Sequence, residues 1–260
     1  MMNTDMLYVH EKVKDIEGDL RVYLLTDLHF GSDAVDYELW KKVKQDIRDH
    51  KENARIIIGG DIIECVTKIS KGEIYEQKMT IEEQLDFAVS EFEEFKDIIS
   101  AVVTGNHDLR LKDISSIDGI KYFCRMLGIE KKYLEYEGVY GFSVNKCYYS
   151  IQLFHGSGGG GTMATVVNRA KKLRKTNADV VAFGHFHQEI SVPFVEYRTD
   201  AYNHKLRKCK CWYVCGNTLV QYPNYAKRYN YEERFPSQAV IIFSTNPKKR
   251  NIEVEWIRNI

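Results

Sequence analysis

The sequence predicts an α/β fold built around a largely parallel sheet. Short apolar runs typical of buried strands alternate with longer segments in which apolar residues recur at helical spacing. Several of the apolar runs end in Asp, Asn or His, and ligand-binding residues gather at the carboxyl ends of strands in open α/β sheets. The alternation of strand and helix implies right-handed crossovers between parallel strands.

The first half of the chain supplies three strands and two helices to this prediction. Strands are predicted at residues 20–26, 54–59 and 98–104, each as an apolar run bounded by turn residues. A helix at about 36–50 would bury Leu39, Trp40, Val43 and Ile47. A second helix at 80–97 begins with Thr80 and Glu83, which have the spacing of a capping box.

The second half adds a helix, a hairpin and a mostly β remainder. The predicted elements are a helix at about 119–127, a hairpin at 140–154, a basic helix at about 162–175 and strands at 180–183 and near 189–194, 210–215, 239–243 and 252–257. Proline is scarce, at four residues, and a low-complexity linker is lacking. We therefore predict a single domain over 1–260, with a tyrosine-rich loop insertion at about 197–236.

Composition limits the classes of function. Lys+Arg and Asp+Glu both number 37 in 260 residues, so nucleic-acid binding would need a local basic patch. No apolar run is long enough to span a bilayer, and the first 20 residues lack the apolar core of a signal peptide. We expect a soluble cytoplasmic protein without a membrane partner, whose six scattered cysteines are free thiols.

Five apolar runs end in polar clusters that can carry chemistry. The clusters are Asp27 with His29, Asp61, Asn106 with His107 and Asp108, His155, and His185 with His187. A single such histidine is more often structural, and a single such aspartate more often belongs to a turn or a helix cap. Five coincidences at strand ends favour one shared site. On an extended strand, the i, i+2 spacing of Asp27 and His29 would point both side chains the same way.

The chemistry of these side chains indicates a metal centre. Mixed imidazole and carboxylate ligands suit manganese, iron or zinc, and a carboxylate such as that of Asp61 can bridge two ions. This series of motifs resembles the calcineurin-like metallophosphoesterase superfamily, all five of whose blocks occur in order between Asp27 and His187. The resemblance implies a four-layer α/β/β/α sandwich of two mixed sheets flanked by helices.

The resemblance also implies roles for the clustered residues. One metal would be held by Asp27, His29, Asp61 and His187, and the other by Asp61, Asn106, His155 and His185. His107 would be the general acid, protonated and oriented by Asp108. Glu64 stands where the family often has Asp or Arg, and no role is assigned to it.

The implied activity is hydrolysis of phosphodiester bonds by a metal-bridged hydroxide, on nucleic acid or nucleotides. The implied cofactors are two divalent metal ions. Manganese is the preferred candidate, and iron, zinc or nickel are alternatives. One rival is a phosphomonoesterase, including a protein phosphatase, and another is a non-catalytic binding or scaffold protein. A looser similarity to bacterial and phage members resembling DNA-repair exonucleases favours DNA or RNA as substrate.

Substrate contacts are predicted in three places. Arg110 follows the catalytic stretch directly, and Gly158 and Gly159 place bare backbone beside His155. Tyr225 and Arg228 lie in the tyrosine-rich segment, where aromatic and basic residues suit stacked bases or a subunit contact. The oligomeric state stays open, a homodimer included. Cys209, Cys211 and Cys215 could bind zinc, although three thiols in one strand are more often buried packing.

Overall fold

Two β-sheets packed face to face form the centre of the fold in the computed structural model, which describes residues 6–14, 16–68, 77–221 and 234–259. The strands are β1 Leu7–Lys12, β2 Leu20–Leu25, β3 Ala54–Ile58, β4 Ile99–Val102, β5 Glu137–Val144, β6 Cys147–Phe154, β7 Val180–Phe183, β8 Ile190–Asp200, β9 Lys205–Cys215, β10 Ser237–Phe243 and β11 Ile252–Arg258. The helices are α1 Tyr37–Asp49, α2 Ile81–Phe92, α3 Asn106–Ser115, α4 Gly119–Met126 and α5 Met163–Leu173.

Both sheets are mixed. The five-stranded sheet has the order β11-β10-β2-β3-β4, with β2, β3 and β4 parallel, β10 antiparallel to β2, and β11 antiparallel to β10. The six-stranded sheet has the order β1-β5-β6-β7-β9-β8 and joins parallel pairs to the antiparallel pairs β5–β6 and β8–β9. The parallel strands β2, β3, β4, β6 and β7 each lead into one of the predicted site motifs.

Three hydrophobic cores confirm the predicted four-layer α/β/β/α order. Alternation along β2 places Tyr23 and Leu25 in the core beneath α1, α2 and α4, and Val22 and Leu24 in the core between the sheets. The third core lies between the six-stranded sheet and α5, where Phe183 is buried. The central strands of each sheet are therefore buried on both faces.

The helices with a clear apolar stripe were predicted correctly. In α1, Leu39, Trp40, Val43 and Ile47 are all buried, as expected. The capping box of Thr80 with Glu83 starts α2. Helices α4 and α5 lie within a residue or two of the predicted ranges 119–127 and 162–175. Amphipathic periodicity located these elements because tertiary packing uses the same stripe that the sequence displays.

Two elements were not predicted. Strand β1 alternates half-buried and exposed residues and carries charges, so it lacks the apolar run of a central strand. Helix α3 is mostly polar and buries Asp108 rather than an apolar stripe. The stretch from Asn106 to Asp108 therefore forms the first turn of a helix and does not extend the strand before it.

The segment predicted as a loop at about 197–236 begins as a hairpin. Strand β8 continues to Asp200 and β9 starts at Lys205, both beyond the predicted strands, because cross-strand pairing runs without interruption from Ile190–Cys215 to Asp200–Lys205. Residues 222–233 lie outside the described part of the chain. Among the described residues, we find no helix with the length and apolar character needed to cross a membrane.

Candidate active site

The predicted ligands converge where the carboxyl ends of parallel strands from both sheets meet. Main-chain hydrogen bonds join the loops that follow these strands. The Asp27 N–H donates to the Gly60 carbonyl at 3.0 Å, and the Gly184 N–H donates to the His155 carbonyl at 2.9 Å. Across the two sheets, the His185 N–H donates to the Asp27 carboxylate at 2.9 Å. One edge of the sandwich thus holds all five motifs.

A first group of metal-ligand atoms consists of Asp27, His29 and His187. His187 Nε2 lies 3.1 Å from Asp27 Oδ1 and 3.3 Å from His29 Nε2. Asp27 and His29 are almost fully buried, whereas His187 is partly exposed. A site of this shape encloses its ligands and stays open to solvent on one side.

A second group consists of Asp61, His155 and His185, with Asn106 between the two histidines. His155 Nε2 lies 3.1 Å from Asp61 Oδ2 and 3.2 Å from Asn106 Oδ1. Asn106 Oδ1 is also 2.7 Å from His185 Nδ1. Asp61 groups with His29 as well, so its carboxylate lies between the two sets of ligand atoms. All seven predicted metal ligands are therefore brought together.

The ring nitrogens of these histidines have the orientation that metal ligands require. His155 Nδ1 faces the Gly59 carbonyl at 2.8 Å and His29 Nδ1 faces Glu64 Oε2 at 2.8 Å, which leaves each Nε2 pointing into the cluster. In His185, both ring nitrogens face oxygen acceptors, although a neutral imidazole carries only one N–H. If the ring N–H is at Nε2 and donates to the Gly158 carbonyl, a cation between Nδ1 and Asn106 Oδ1 would satisfy the remaining atoms, and the donor set fits a divalent transition metal.

The charges in the cluster support the same interpretation. Burial raises the pKa of Asp61, but His155 and His107 nearby hold it well below its ordinary value. Burial lowers the pKa of His155, yet the Asp61 carboxylate raises it to about 10. The buried carboxylates thus stay ionised and favour positive charge at Nε2 of His155, whether a proton or a metal ion supplies it.

Five of the ligands have left-handed backbone conformations. The φ angles are 52° at Asp27, 50° at His29, 51° at Asp61, 72° at His185 and 49° at His187. The expectation that Asp27 and His29 share a face because they lie on an extended strand was wrong. Their side chains converge because left-handed residues turn the chain sharply after the strand ends.

His107 is held by Glu64 and Arg110 and not by Asp108. His107 Nδ1 lies 2.9 Å from the Glu64 carbonyl, and Arg110 Nη2 lies 3.0 Å from His107 Nε2. Burial and the positive charges of His29 and Arg110 lower the pKa of His107 to about 4. The His107 ring contacts the Glu64 carbonyl at Nδ1 and accepts a hydrogen bond from Arg110 at Nε2, and its role as general acid stays a prediction.

Asp108 organises the main chain around the ligands instead of orienting His107. Its carboxylate accepts hydrogen bonds from the N–H groups of Asp61, Ile62, Ile63 and Gly105, at 2.8–3.2 Å. These bonds tie the first turn of α3 to the loop that carries Asp61. The sequence expectation failed because adjacent residues at the start of a helix point in different directions.

Glu64 is the site residue that sequence reasoning missed. Its carboxylate contacts His29 Nδ1 at 2.8 Å and approaches His107 Nδ1 to 3.5 Å. Its carbonyl accepts hydrogen bonds from His107 and Arg110. Its position three residues after Asp61 was the available signal, because a carboxylate so near a ligand loop can reach the outer nitrogen of a metal-binding histidine.

The predicted substrate-binding residues lie in different places relative to the site. Arg110 lies in the site beside His107. Gly158 is next to the second ligand group, where its carbonyl faces His185 Nε2 at 2.9 Å. Gly159 has open space around its α-carbon. Tyr225 and Arg228 lie outside the described residues.

The cysteines do not enter the site. All six are free, as expected, and Cys211 and Cys215 are buried. In the described ranges, the groups of side chains close enough to share a metal contain no cysteine. Packing is therefore the supported interpretation for Cys209, Cys211 and Cys215.

One family model agrees with the motifs gathered at this site. The family model described as calcineurin-like phosphoesterase matches residues 20–189. No curated protein matches the sequence significantly.

Three solved structures are similar to this chain at low sequence identity. Vacuolar protein sorting 29 from Cryptosporidium parvum has 10% identity and a TM-score of 0.41, over 94% of this chain and 100% of the other. Wild-type Vps29 complexed with zinc, from Entamoeba histolytica, has 12% identity and a TM-score of 0.38, over 92% and 100%. The calcineurin-like phosphoesterase YfkN from Bacillus subtilis has 10% identity and a TM-score of 0.43, over 93% and 91%.

Proposed function

The chain belongs to the calcineurin-like phosphoesterase family, and we propose that it is a dinuclear metal-dependent phosphodiesterase acting on nucleic acid or nucleotides. The observation that carries the proposal is the pair of adjoining ligand groups with the Asp61 carboxylate between them. Outer ring nitrogens are held by protein oxygens, and inner nitrogens point at the shared space. This arrangement suits two ions and a substrate oxygen better than it suits a structural core.

The proposed metal sites divide the seven ligands as follows. Asp27, His29, Asp61 and His187 would hold one ion, and Asp61, Asn106, His155 and His185 would hold the other. Two divalent ions, with manganese our first choice for this mixture of nitrogen and oxygen donors, would activate water and neutralise charge on the phosphoryl oxygens.

Arg110 and His107 would act on the substrate together. The Arg110 guanidinium is permanently charged and borders His107 Nε2 at 3.0 Å, so it can bind a phosphoryl oxygen there. When Arg110 turns to the phosphate, His107 Nε2 loses its hydrogen-bond donor and takes up a proton from solvent. That proton would pass to the leaving oxygen, while the Glu64 carbonyl keeps the ring in place.

Arg110 supplies positive charge for a diester beside His107. Its side chain bonds to His107 and to the Glu64 carbonyl. A diester carries a single negative charge at neutral pH, whereas a monoester approaches two. One guanidinium with the two proposed ions is enough positive charge for a diester, and the comparison of the two p-nitrophenyl substrates decides between the classes.

The test compares hydrolysis of p-nitrophenyl phosphate, p-nitrophenyl phenylphosphonate and single-stranded and duplex DNA in Mn²⁺. Wild type is measured beside Asp61→Asn, His107→Asn and the exposed control Glu82→Gln. We expect diester and DNA cleavage by wild type and the control, and none by Asp61→Asn. His107→Asn should lose roughly 10²- to 10⁴-fold in turnover and keep both metals, measured by metal content after gel filtration.

Other outcomes would contradict the proposal in identifiable ways. Turnover of the monoester alone would indicate a phosphomonoesterase. Two bound metals without turnover of any substrate would favour the scaffold alternative. Unchanged turnover in His107→Asn would remove that residue from the mechanism.

A further inference from the structure

Strands β8 and β9 continue as a two-stranded ribbon, residues 195–210, beyond the strand that supports them. β9 pairs with β7 only from Trp212 to Cys215, whereas β8 pairs with β9 along its whole length to Asp200. The ribbon starts from the site end of the sheet, where Ile190 pairs with Cys215, and it runs toward the opposite end. An isolated two-stranded hairpin is only marginally stable, so contacts on its faces matter for this segment.

One face of the ribbon is packed and electrically neutralised. The register places Phe194, Glu196, Arg198 and Asp200 on this face. Glu196 pairs with Arg174 of the α5 cap and with Arg198, and Arg207 pairs with Asp200. Both carboxylates of the ribbon are therefore on this face and are matched by arginines.

The opposite face, which we call the open face, is apolar and basic. It consists of Val195, Tyr197, Thr199, Leu206, Lys208 and Lys210. Tyr197 is 64% exposed and Leu206 69% exposed, so both side chains lie largely in solvent. In the part of the chain that the structure describes, Lys208 and Lys210 form no ion pair, and Lys210 lies over the Trp212 ring at 4.8 Å.

The charge pattern of the open face selects its partner. The face has cations without any carboxylate, although the whole chain has no net charge. A second copy of the same face would set lysine against lysine. A polyanion complements it, and Tyr197 directly opposite Lys208 offers a ring for base stacking beside a cation for phosphate.

We propose that the open face binds a single-stranded segment of nucleic acid at a distance from the catalytic cluster. This inference rests on the proposed function for the connection between binding and cleavage, but the binding itself can be tested alone. Tyr197 is seven residues from Ile190 at the site end, a distance of about 23 Å at roughly 3.3 Å per residue. One nucleic-acid strand could then contact the ribbon with one segment and enter the active site with another.

The experiment measures binding and turnover separately. Binding of a fluorescent oligothymidylate is followed by anisotropy in EDTA across a series of salt concentrations, and hydrolysis of p-nitrophenyl phenylphosphonate is followed in Mn²⁺. The variants are Lys208→Gln with Lys210→Gln, Tyr197→Ala, and Tyr197→Phe. The control, Lys248→Gln with Lys249→Gln, makes the same charge change at an exposed turn.

Removing both ribbon lysines should lower the slope of log K against log salt by about 1.4, since each single-strand phosphate contact contributes about 0.7. Tyr197→Ala should weaken binding roughly 5- to 100-fold, and Tyr197→Phe should retain wild-type affinity because the ring is kept. Hydrolysis of the small diester should be unchanged in all of these variants.

Equal weakening by the control pair would overturn the inference, because it would indicate a general charge effect. Unchanged binding in the ribbon variants, or a change only in their oligomeric state by light scattering, would also overturn it. Failure of the proposed function would look different: wild type would not hydrolyse the small diester, whatever the ribbon binds.

Discussion

At the scale of single residues, Glu64 determines how two histidines face the candidate metal centre. Its carboxylate meets His29 Nδ1 at 2.8 Å, and its carbonyl meets His107 Nδ1 at 2.9 Å. The carboxylate lies against Nδ1 of His29, so Nε2 is the ring nitrogen that faces the other ligand atoms. Glu64 therefore acts through the histidines and not by contact with a substrate.

We predict that Glu64→Gln weakens manganese binding roughly 10- to 100-fold, since outer partners of ligating histidines commonly contribute this much. The reason is that an amide holds the His29 ring less firmly than a carboxylate does. Isothermal titration calorimetry with Mn²⁺ measures the effect. Glu82→Gln, an exposed carboxylate on α2, is the matched control, and equal affinities for all three proteins would disprove the role.

Thr26 is a second residue that acts through a ligand. Its hydroxyl donates to Asp27 Oδ2 at 2.6 Å. Gly59, Gly184 and Gly216 surround it so closely that an added Cβ at any of them would meet Thr26. The three glycines therefore make room for the side chain that fixes Asp27.

The tightest of these positions gives a prediction for stability. A Cβ at Gly184 would overlap the Thr26 hydroxyl, whereas one at Gly159 would meet nothing within 4 Å. Gly184→Ala should lower the free energy of unfolding by about 1–3 kcal/mol, the usual cost of overpacking, and Gly159→Ala should leave it nearly unchanged. Urea denaturation compares the two variants. Similar stabilities for both would show that the loop around Gly184 adjusts freely.

At the scale of secondary structure elements, strand β1 is bound to the opposite sheet through Glu11. The Glu11 carboxylate accepts hydrogen bonds from Arg55 on β3 at 2.6 Å and from Ser100 on β4 at 2.8 Å. It also accepts one from Tyr140 on β5 at 2.9 Å. An edge strand with few buried residues is thereby fixed to both sheets.

This contact makes part of the stability depend on pH. Burial raises the pKa of Glu11, but the charge of Arg55 and the three hydrogen bonds hold it below its ordinary value of 4.5. A carboxyl whose pKa is lower in the folded state stabilises fully above its unfolded pKa. That stabilisation disappears as the pH falls through the folded pKa.

Glu11→Gln should therefore lower the free energy of unfolding by about 1–3 kcal/mol at pH 7, as expected for hydrogen bonds to a charged group. The difference from wild type should shrink as the pH falls below 4.5. Urea titrations at several pH values test this, with Glu17→Gln as an exposed control. A difference that did not vary with pH would mean that the charge of Glu11 contributes nothing.

The elements that could be predicted are those whose side chains display their packing. Trp40 and its neighbours marked α1, and the apolar run at 180–183 marked β7 to the residue. Strand β1 and helix α3 could not be found in this way, because polar contacts such as those of Glu11 and Asp108 hold them. Such contacts depend on residues distant in sequence, so no local sequence pattern predicts them.

At the scale of the whole molecule, the candidate metal site joins the two sheets at one end. Asp27, His29, Asp61 and Asn106 follow strands of the five-stranded sheet, and His155, His185 and His187 follow strands of the six-stranded sheet. The membership of this cluster was predictable because each of its residues follows an apolar run. Its backbone geometry was not, because the left-handed turns depend on loops that meet only in the folded chain.

Metal binding should therefore stabilise the whole fold. At a free metal concentration of about 100 times Kd, a ligand adds about 2.7 kcal/mol, which is roughly 5–10 °C in Tm for a chain of this size. We expect Mn²⁺ to raise Tm by this amount over EDTA, measured by calorimetry. Asp61→Asn should remove most of the shift, and a Tm independent of Mn²⁺ in wild type would argue against a site between the sheets.

The left-handed ligands have a consequence for the balance between stability and activity. Glycine adopts such conformations without steric cost, whereas other residues lose on the order of 1 kcal/mol or more there. At Asp27, His29, Asp61, His185 and His187, the chain therefore carries residues that its own backbone disfavours. Glycine at these turns would avoid that cost. The side chains present give up stability to gather nitrogen and oxygen atoms in one cluster, which is the compromise expected where residues are kept for function.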